Sequence, residues 1–293
     1  GWTIQSSLTG EDFINFFNFD SGQSDNDGVA NYVDGVTEGL VYTNSDGQVV
    51  IAVDTTEYVS LRNSVRMVSA TTFNPSTSSL FIFDVEQIPA VCGVWPAIWF
   101  TGTDWPADGE IDVVEGVNEY TQNIFSIHTG DDCTMDTSLL TDAALVDAGE
   151  TDCNAYVSDT ACGAMSNSTA SYGVGSNSAG GSVYALQLTS AGLEMYWWTK
   201  DSVPADITSG LPTPSTWGSP AVEVLSDTCD TDSHFIDLMM IVNTNLGGTF
   251  PEGVWSTDDA GGQDTSCATL TSYSDAASYI QNVGSAFSTA QWV

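Results

Sequence analysis

The chain is built from short runs in which apolar and polar residues alternate, separated by clusters of Gly, Asn, Asp and Ser. This pattern is typical of half-buried β-strands, because successive side chains of a strand point to opposite faces of its sheet. Helical periodicity is scarce, and only residues 274–287 favour one short helix. Hairpins are predicted for GLVYTNSDGQVVIAVD and for VYALQLTSAGLEMYWWT. A further strand is predicted for LFIFDVEQIP, and a buried strand for FIDLMMIVNTNL. Many short strands with turn signals predict an all-β sandwich.

The length of the chain is compatible with one large core. A guide of about 100–200 residues per domain does not force 293 residues to divide. We find no internal repeat and no linker-like stretch in the sequence. The sequence therefore predicts a single β-sandwich domain that spans residues 1–293.

An even number of cysteines indicates disulfide bonds formed in an oxidising compartment. The six are Cys92, Cys133, Cys153, Cys162, Cys229 and Cys267. No CxxC spacing occurs, which weakens a zinc or thioredoxin interpretation, and the sequence alone leaves the pairing open. Three of them lie in residues 129–181, a long aperiodic stretch that we expect to be functional or stapled.

Acidic residues far outnumber basic ones: 39 Asp and Glu stand against 3 Lys and Arg, for a net charge of −36. Such a surface repels phosphate backbones and anionic lipids, so nucleic acids and membranes are not expected partners. No apolar run approaches the ~20 residues that a transmembrane helix needs. No signal peptide is visible at Gly1, although a mature secreted chain would have lost one. With the cysteines and a glycosylation sequon at Asn167, these features favour a secreted, extracellular protein.

The stretch GEIDVVEGVN, residues 109–118, places three carboxylates in an otherwise apolar strand. Glu110 and Asp112 share one face, whereas Glu115 has the opposite parity and should point the other way. A β-bulge inserts one extra residue and shifts the parity by one. A bulge at Val113–Val114 would return Glu115 to the face of the other acids and leave both valines for the core. We therefore predict a bulge here that makes the three acids converge.

Converging carboxylates are suited to the cleavage of glycosidic bonds. Four effective strand steps of ~3.3 Å place the Cα atoms of Glu110 and Glu115 about 13 Å apart. If their side chains lean together, they approach the ~5–5.5 Å separation of a retaining glycosidase. Asp112, between them, would hydrogen-bond a neighbour and hold it in one protonation state. The alternative from charge spacing alone is a strand with a solvated acidic face.

The sequence E-I-D-V-V-E resembles the bulged signature of glycoside hydrolase family 16, whose other members have Glu-x-Asp-x-Glu. The bulged subgroup includes laminarinases, agarases and carrageenases, and WPAIWFTGTDWPADGEIDVVEGVN is similar to the fungal-type laminarinases. The similarity extends over most of the chain, through NYVD (31–34), RNSVRM (62–67), CGVWPAIW (92–99), HTG (128–130) and NTNLGG (243–248). It implies a jelly-roll β-sandwich of two antiparallel sheets, with a substrate cleft across the concave face. It also implies that Glu110 is the nucleophile, Asp112 its helper and Glu115 the general acid/base.

The resemblance indicates which side chains line the cleft. Sugar rings present flat C–H faces, for which aromatic side chains are suitable platforms. Trp99 and Trp105 match tryptophans that bind sugar beside the catalytic centre, whereas Trp95 is expected in the core. His128, in His-Thr-Gly, is expected near the acid/base, where it would donate to a sugar or a carboxylate. His234 has no acid at catalytic spacing and is interpreted as structural.

Four further positions match the cleft of the family, each with a structural alternative. Arg66 and Tyr32 match the glycone side, and Arg66 is also expected to pair with an acid. Asn118 follows the acidic strand, where it would bond sugar or shape the turn. Phe250 stands in GGTFP where the family often has tryptophan, and it stacks on sugar without the indole N–H.

These features predict a monomeric, secreted endo-β-1,3(4)-glucanase that hydrolyses laminarin-type β-glucans with retention of configuration. Two carboxylates and water suffice, so no cofactor is required and no metal is expected in the site. Because some family members carry calcium on the convex side, a structural Ca²⁺ is kept as an alternative. Rival predictions are an agarase- or carrageenase-like enzyme, a glucan transglycosylase and a β-glucan-binding lectin. The lectin is disfavoured because binding-only relatives have lost the catalytic glutamates. A carrageenase is disfavoured because polyanionic carrageenan suits a basic cleft, whereas this chain is nearly devoid of cations.

Overall fold

The computed structural model describes residues 1–140, 143–145 and 150–293, and only the backbone of 143–145. Within these residues the strands are β1 (Phe17–Phe19), β2 (Gly22–Gln23), β3 (Ala30–Tyr32), β4 (Val41–Thr43), β5 (Val49–Ile51), β6 (Arg62–Ser64), β7 (Arg66–Phe73), β8 (Ser79–Val85), β9 (Val94–Thr101), β10 (Glu110–Glu115), β11 (Ile124–His128), β12 (Ala143–Leu145), β13 (Cys162–Ser166), β14 (Ser182–Thr189), β15 (Gly192–Thr199), β16 (Val222–Leu225) and β17 (Leu238–Leu246). The α-helices are α1 (Gly10–Asn15), α2 (Gly173–Ser178), α3 (Ala205–Thr208), α4 (Thr231–His234), α5 (Thr249–Gly253), α6 (Cys267–Thr271) and α7 (Ala276–Asn282). Short 3-10 helices lie at Pro75–Thr77, Thr137–Leu139, Lys200–Ser202, Pro214–Thr216 and Gly284–Thr289.

The strands form two large sheets and two small ones. The larger sheet has eight strands in the order β1–β7–β17–β9–β10–β11–β13–β12, and the second has four in the order β16–β15–β14–β8. All neighbouring pairs in these two sheets are antiparallel. The small sheets are β2–β3–β6 and β4–β5, and β3 pairs with β6 in parallel. The predicted antiparallel β-sandwich is thus confirmed, with one parallel pair that was not predicted.

The main core lies between the two large sheets. Strand β10 contributes Ile111, Val113 and Val114, which are completely buried. Leu186 and Met195 from the four-stranded sheet belong to the same cluster. Each aliphatic side chain buried in this way contributes about 1.5–3 kcal/mol to stability. The other side chains of β10 therefore point away from the core, onto the outer face of the eight-stranded sheet.

A second core lies under α7. Its buried residues include Trp255 and Ile280. The guanidinium of Arg62 is completely buried there and donates to the carbonyl oxygens of Ile280, Asp54 and Thr56 at 2.6–3.0 Å. An arginine presents five donors, so one side chain satisfies three carbonyl groups of two chain segments. This basic residue therefore has a structural task.

All six cysteines form disulfide bonds, as predicted. The pairs are Cys92–Cys267, Cys133–Cys229 and Cys153–Cys162. The last two pairs lie in or attach to the aperiodic stretch after β11, and Cys133–Cys229 ties it to the residues that follow β16. The prediction that this stretch is stapled is confirmed.

Most predicted elements are present. The hairpins are β4–β5 and β14–β15, the two further strands are β8 and the buried β17, and the predicted helix corresponds to α7. The structure adds six α-helices of four to six residues, which are too short to show a helical period in the sequence. Residues 129–181, expected to be aperiodic, also contain β12, β13 and α2. Among the described residues the longest α-helix has seven residues, and none is long and apolar enough to cross a bilayer.

Candidate active site

Strand β10 lies between β9 and β11, inside the eight-stranded sheet. Against β9 the register shifts between Asp112 and Val114, which leaves Val113 as the extra residue. This is the predicted β-bulge, and it shifts side-chain parity by one. Glu115 consequently returns to the outer face on which Glu110 and Asp112 lie, while the valines remain in the core.

Asn123 fastens the bulge. Its side chain is completely buried; its Nδ2 donates to the Val113 carbonyl at 2.9 Å, and its Oδ1 accepts from the Glu115 N–H at 3.1 Å. A bulged residue leaves backbone groups without ladder partners, and buried groups of this kind need substitutes. The amide of Asn123 supplies both a donor and an acceptor, so it holds the backbone of Glu115 in place. No local sequence pattern predicted this role for Asn123.

Asp112 is the most buried of the three acids. It is 2% exposed, and its Oδ2 has no hydrogen-bond partner among the described residues. Burial raises the pKa of Asp112 well above its usual range, and the charges of Glu110 and Glu115 raise it further. Asp112 therefore holds a proton under conditions in which an ordinary aspartate has lost it. That proton is available for a hydrogen bond to Glu110.

Glu115 has a different set of neighbours. The indole N–H of Trp95 donates to Glu115 Oε1 at 2.9 Å. Burial raises the pKa of Glu115, whereas the Trp95 bond and the nearby His128 lower it, and the effect of burial prevails. A carboxyl group that keeps its proton longer than usual is suited to general acid catalysis. Trp95 was expected only in the core; this is corrected, because its half-buried ring packs against the core while its N–H contacts the acid.

Glu110 is held by residues on both sides. The indole N–H of Trp105, a residue that is 46% exposed, donates to Glu110 Oε2 at 2.5 Å. His128 is the cross-strand partner of Glu110 on β11, and its Nε2 lies 3.8 Å from Glu110 Oε1 and 3.3 Å from Asp112 Oδ2. These contacts orient the Glu110 carboxylate. The structure thus brings together the five residues predicted around the acidic strand, including both of the predicted neighbours Trp105 and His128.

A second group of predicted residues surrounds Trp99. Its indole N–H donates to Asn243 Oδ1 at 3.0 Å, and Asn243 Nδ2 donates to Tyr32 Oη at 3.3 Å. The guanidinium of Arg66 lies 5.1 Å from the centre of the Trp99 ring and pairs with Asp20 at 3.2 Å. Trp99, Arg66 and Tyr32 therefore adjoin one another, and Arg66 pairs with an acid, as expected. Asn243 was not among the predicted site residues, although it lies in the NTN segment of β17 opposite the cleft strand β9.

Phe250 and Asn118 lie at the other end of β10. The ring of Phe250 packs edge-on against Trp95, with centroids 5.7 Å apart, so Phe250 adjoins the partner of Glu115. Asn118 is 2% exposed, accepts from the Gly93 N–H at 2.8 Å and donates to the Pro251 carbonyl at 3.3 Å. Both ends of its amide bond the fold, which supports the structural alternative for Asn118, the shaping of a turn; its sugar contact stays a prediction.

His234, interpreted from the sequence as structural, is the last residue of α4. Its Nδ1 and Nε2 lie 2.8 Å from the carbonyl oxygens of Asp230 and Asp131. These contacts connect α4 to the segment after β11, which agrees with the structural interpretation of this histidine.

One group of side chains in the described part of the chain has three or more close metal-ligating atoms. It consists of Glu110, Asp112 and His128, whose ligand atoms lie within 4.8 Å of one another. Calcium prefers six to eight oxygen ligands, whereas this set offers two carboxylates and a nitrogen, so it does not fit calcium. The structural calcium ion remains a prediction to which no described group of acidic side chains lends support.

Curated proteins from fungi are similar to this chain. A probable endo-1,3(4)-beta-glucanase from Aspergillus niger is 32% identical over 99% of this chain and 39% of its own length. A probable glycosidase from Schizosaccharomyces pombe is 35% identical over 80% of this chain and 56% of its own length. The chain thus spans about two fifths to just over half of these relatives.

Solved structures share the fold. Laminarinase 16A from Phanerochaete chrysosporium, solved with two β-glucans in its donor and acceptor sites, is 28% identical with a TM-score of 0.86. An elongating family 16 β-1,3-glucosyltransferase has the same identity and TM-score. Each superposition covers 99% of this chain and 96% of the other. These similarities confirm the predicted jelly-roll sandwich.

The family is shown by a match over nearly the whole chain. The sequence model described as the XgeA-like catalytic GH16 domain matches residues 17–293. That range includes the bulged acidic strand and every residue described above as part of the site. The chain therefore belongs to glycoside hydrolase family 16, in its XgeA-like group.

Proposed function

We propose that this domain is a secreted, retaining endo-β-1,3(4)-glucanase that cleaves laminarin-type β-glucans. The observation that carries the proposal is the pair of glutamates on the outer face of the bulged strand. They have different partners, since Glu110 accepts from Trp105 and Glu115 accepts from Trp95. A double displacement needs one carboxylate as the nucleophile and one carboxylic acid as the proton donor, and different environments allow two glutamates to divide these roles.

In the first step, a carboxylate oxygen of Glu110 attacks the anomeric carbon while the glycosidic C–O bond breaks. Glu115 gives its proton to the departing oxygen, so the leaving sugar departs as a neutral alcohol and Glu115 becomes a carboxylate. The raised pKa of Glu115 supports this role, because the proton must still be present when substrate binds. The N–H of Trp95 then stabilises the negative charge that Glu115 acquires.

Asp112 is proposed as the positioning residue of the nucleophile. Its proton bonds Glu110 in the resting state, and its burial prevents it from becoming a third negative charge beside the reacting centre. When Glu110 forms the glycosyl ester, its charge disappears and the repulsion that keeps Asp112 neutral decreases. His128, 3.3 Å from Asp112 Oδ2, is placed to share the proton at that stage.

In the second step, Glu115 as a carboxylate removes a proton from water, and the resulting hydroxide displaces Glu110 from the anomeric carbon. Two displacements at one carbon preserve its configuration. A sugar hydroxyl that replaces water gives transglycosylation through the same intermediate. One structural neighbour is named as an elongating β-1,3-glucosyltransferase, so glucan transfer is the second candidate activity.

The substrate class follows from charge and from the named relatives. The net charge of −36 disfavours a polyanionic substrate and suits a neutral glucan. The Aspergillus relative is named as a probable endo-1,3(4)-beta-glucanase, and laminarinase 16A was solved with β-glucans. Secretion is supported by three disulfides, which persist in oxidising compartments.

The test is azide rescue of Glu115→Ala. A general acid matters most when the leaving group is a poor one, such as a sugar hydroxyl, so this variant should lose nearly all activity on laminarin. The acid matters least when the leaving group departs without a proton. The variant should still form the glycosyl intermediate from a β-glucosyl donor with an activated phenol. Azide needs no general base and fits the space that the side chain vacates. We expect azide to restore turnover and to give the β-glycosyl azide.

Glu119→Ala is the matched control, because Glu119 is a nearby carboxyl whose pKa is also raised by burial but which lies outside the acidic strand. It should keep its activity on laminarin and show no response to azide. An α-azide from Glu115→Ala would indicate a single displacement and an inverting enzyme. An equal loss on both substrates without rescue would refute the role of Glu115.

A further inference from the structure

Three aromatic side chains form a groove on the outer face of the four-stranded sheet. Along β15, Leu193 and Met195 point into the core, so Tyr196 and Trp198 point to the opposite side. The rings of Tyr196 and Trp198 are stacked, with centroids 5.6 Å apart and an interplanar angle of 10°. Trp217 stands edge-on to both, at 5.2 and 5.1 Å. This aromatic groove lies across the sandwich from the acidic strand.

The rings of the groove are held in place before any ligand binds. The indole N–H of Trp217 donates to both carboxylate oxygens of Asp206, at 2.9 and 3.0 Å. Tyr196 is 4% exposed, and its hydroxyl donates to Glu194 at 2.8 Å. A rigid aromatic platform loses little conformational entropy on binding. Trp198 and Trp217, in contrast to Tyr196, remain partly exposed and present ring surface to solvent.

The groove has the size and the polar rim of a sugar subsite. Its cavity volume is about 230 Å³, and its wall includes Trp197, Ser202 and Ser219. This is below the ~300 Å³ at which pockets begin to enclose a whole small molecule, so it suits one ring of a longer chain. Ser202 and Ser219 are exposed and add hydroxyl groups beside the aromatic rings.

One indole donor at the groove is unused. Within the described part of the chain, Trp198 makes no hydrogen bond through its indole N–H, and this N–H is not fully buried. A tryptophan in a folded core usually finds a partner for this group. A free donor beside an exposed ring face matches a ligand that combines hydroxyl groups with flat C–H faces.

The charges around the groove disfavour an anionic ligand. Asp201, Asp206 and Glu194 adjoin the groove, whereas Lys200 is occupied by ion pairs with Asp84 and Glu86. An anionic partner would be repelled, while a neutral polyol bears no such cost. We infer that the aromatic groove is a second, non-catalytic binding site for a neutral β-glucan chain. The identity of the glucan rests on the proposed function, and the site itself does not.

The test compares binding and cleavage in Trp198→Ala. With an insoluble β-1,3-glucan as the probe, the variant should bind roughly three- to ten-fold more weakly, which corresponds to the loss of one aromatic platform. Its rate on a soluble laminari-oligosaccharide should be unchanged, because Trp198 lies far from the acidic strand across the core. Ser219→Ile, which fills the groove from an exposed position, should weaken particle binding without removing any ring.

Tyr58→Ala is the matched control, since Tyr58 is a 74% exposed aromatic residue with no second aromatic ring beside it in its shallow cavity. It should bind the particles like the parent protein. Parent-like particle binding by Trp198→Ala and Ser219→Ile would overturn the inference. A dimer that Trp198→Ala dissociates would assign the groove to self-association and would also overturn it. If the parent protein neither cleaves nor binds any β-glucan, the proposed function fails; intact cleavage with unaltered variants refutes the second site alone.

Discussion

Replacing Trp95 by Phe isolates one hydrogen bond of the candidate acid/base. The change keeps an aromatic ring packed against Phe250 and removes the N–H that donates to Glu115 Oε1 at 2.9 Å. Since this bond lowers the pKa of Glu115 and burial raises it, the pKa should rise further in the variant. Glu115 would then keep its proton to higher pH, and the alkaline limb of the activity profile should move upward.

The magnitude follows from the strength of the bond in the two protonation states. A hydrogen bond to a charged acceptor contributes about 1.5–3 kcal/mol, and one to a neutral acceptor contributes about 1 kcal/mol. A difference of about 1 kcal/mol corresponds to a factor of about five in the protonated fraction. At a pH well above the alkaline limb, Trp95→Phe should therefore retain about five-fold more of its maximal activity than the parent enzyme.

The assay is kcat/KM on a soluble laminari-oligosaccharide across the pH range, because this ratio reports the free enzyme. Trp255→Phe is the matched control: its indole N–H also donates at 2.9 Å, to the Tyr273 carbonyl in the second core. That variant should lose stability without moving the limb. An alkaline limb in Trp95→Phe that stays in place or moves to lower pH would refute the role of the Trp95 bond.

Four further outcomes are expected. Glu110→Gln should abolish turnover and leave oligosaccharide binding nearly intact in calorimetry, and near-parental rates would refute its role as nucleophile. Asp112→Asn should be less active but should melt higher than the parent at pH 8. The folded-state pKa of Asp112 is raised, so the contribution of Asp112 to stability is present at low pH and is lost as pH rises through its folded-state pKa. A Tm difference between Asp112→Asn and the parent that shrinks with rising pH would contradict this prediction. Asn123→Ala should lower the free energy of unfolding by about 2–6 kcal/mol in chemical denaturation, because each of the two unsatisfied backbone groups costs about 1–3 kcal/mol. Asn118→Ala, at the turn after β10, is the control. With a net charge of −36, Tm at pH 7 should rise as NaCl is added, and a flat response would mean that the carboxylates are too far apart to interact.

The strand pattern of this fold could be read from the sequence because it depends on local alternation. The hairpins β4–β5 and β14–β15 show alternating apolar and polar residues on both sides of a Gly-containing turn. The bulge is required by the parity of the three acids along β10. The order of strands in the sheets could not be read in this way, since it depends on pairings between distant segments. The parallel β3–β6 pair and the pairing of the cysteines could not be read from the sequence for the same reason, because they also join distant segments.

The same distinction between local and long-range signals applies to the residues of the candidate site. Glu110, Asp112 and Glu115 were found because they interrupt an apolar strand, and Trp105 and His128 because they match a family pattern. Trp95 was assigned to the core because an apolar ring gives no sign in the sequence of where its N–H points. Asn123 and Asn243 were missed because an asparagine in or beside a strand gives no local sign of a site role, and their partners lie on other segments.

The bulge connects the stability of the fold to the chemistry of the site. In a regular strand, Glu115 would point into the core, where an ionised carboxylate costs several kcal/mol unless it is paired. The extra residue instead gives Val113 and Val114 to the core, and both are completely buried. The amide of Asn123 bonds the carbonyl of Val113 and the N–H of Glu115, so a single buried side chain determines both the backbone of the bulge and the position of the proposed acid/base. A loss of Asn123 should therefore reduce stability and kcat together, whereas a loss of Trp95 should alter the pH profile with less change in stability.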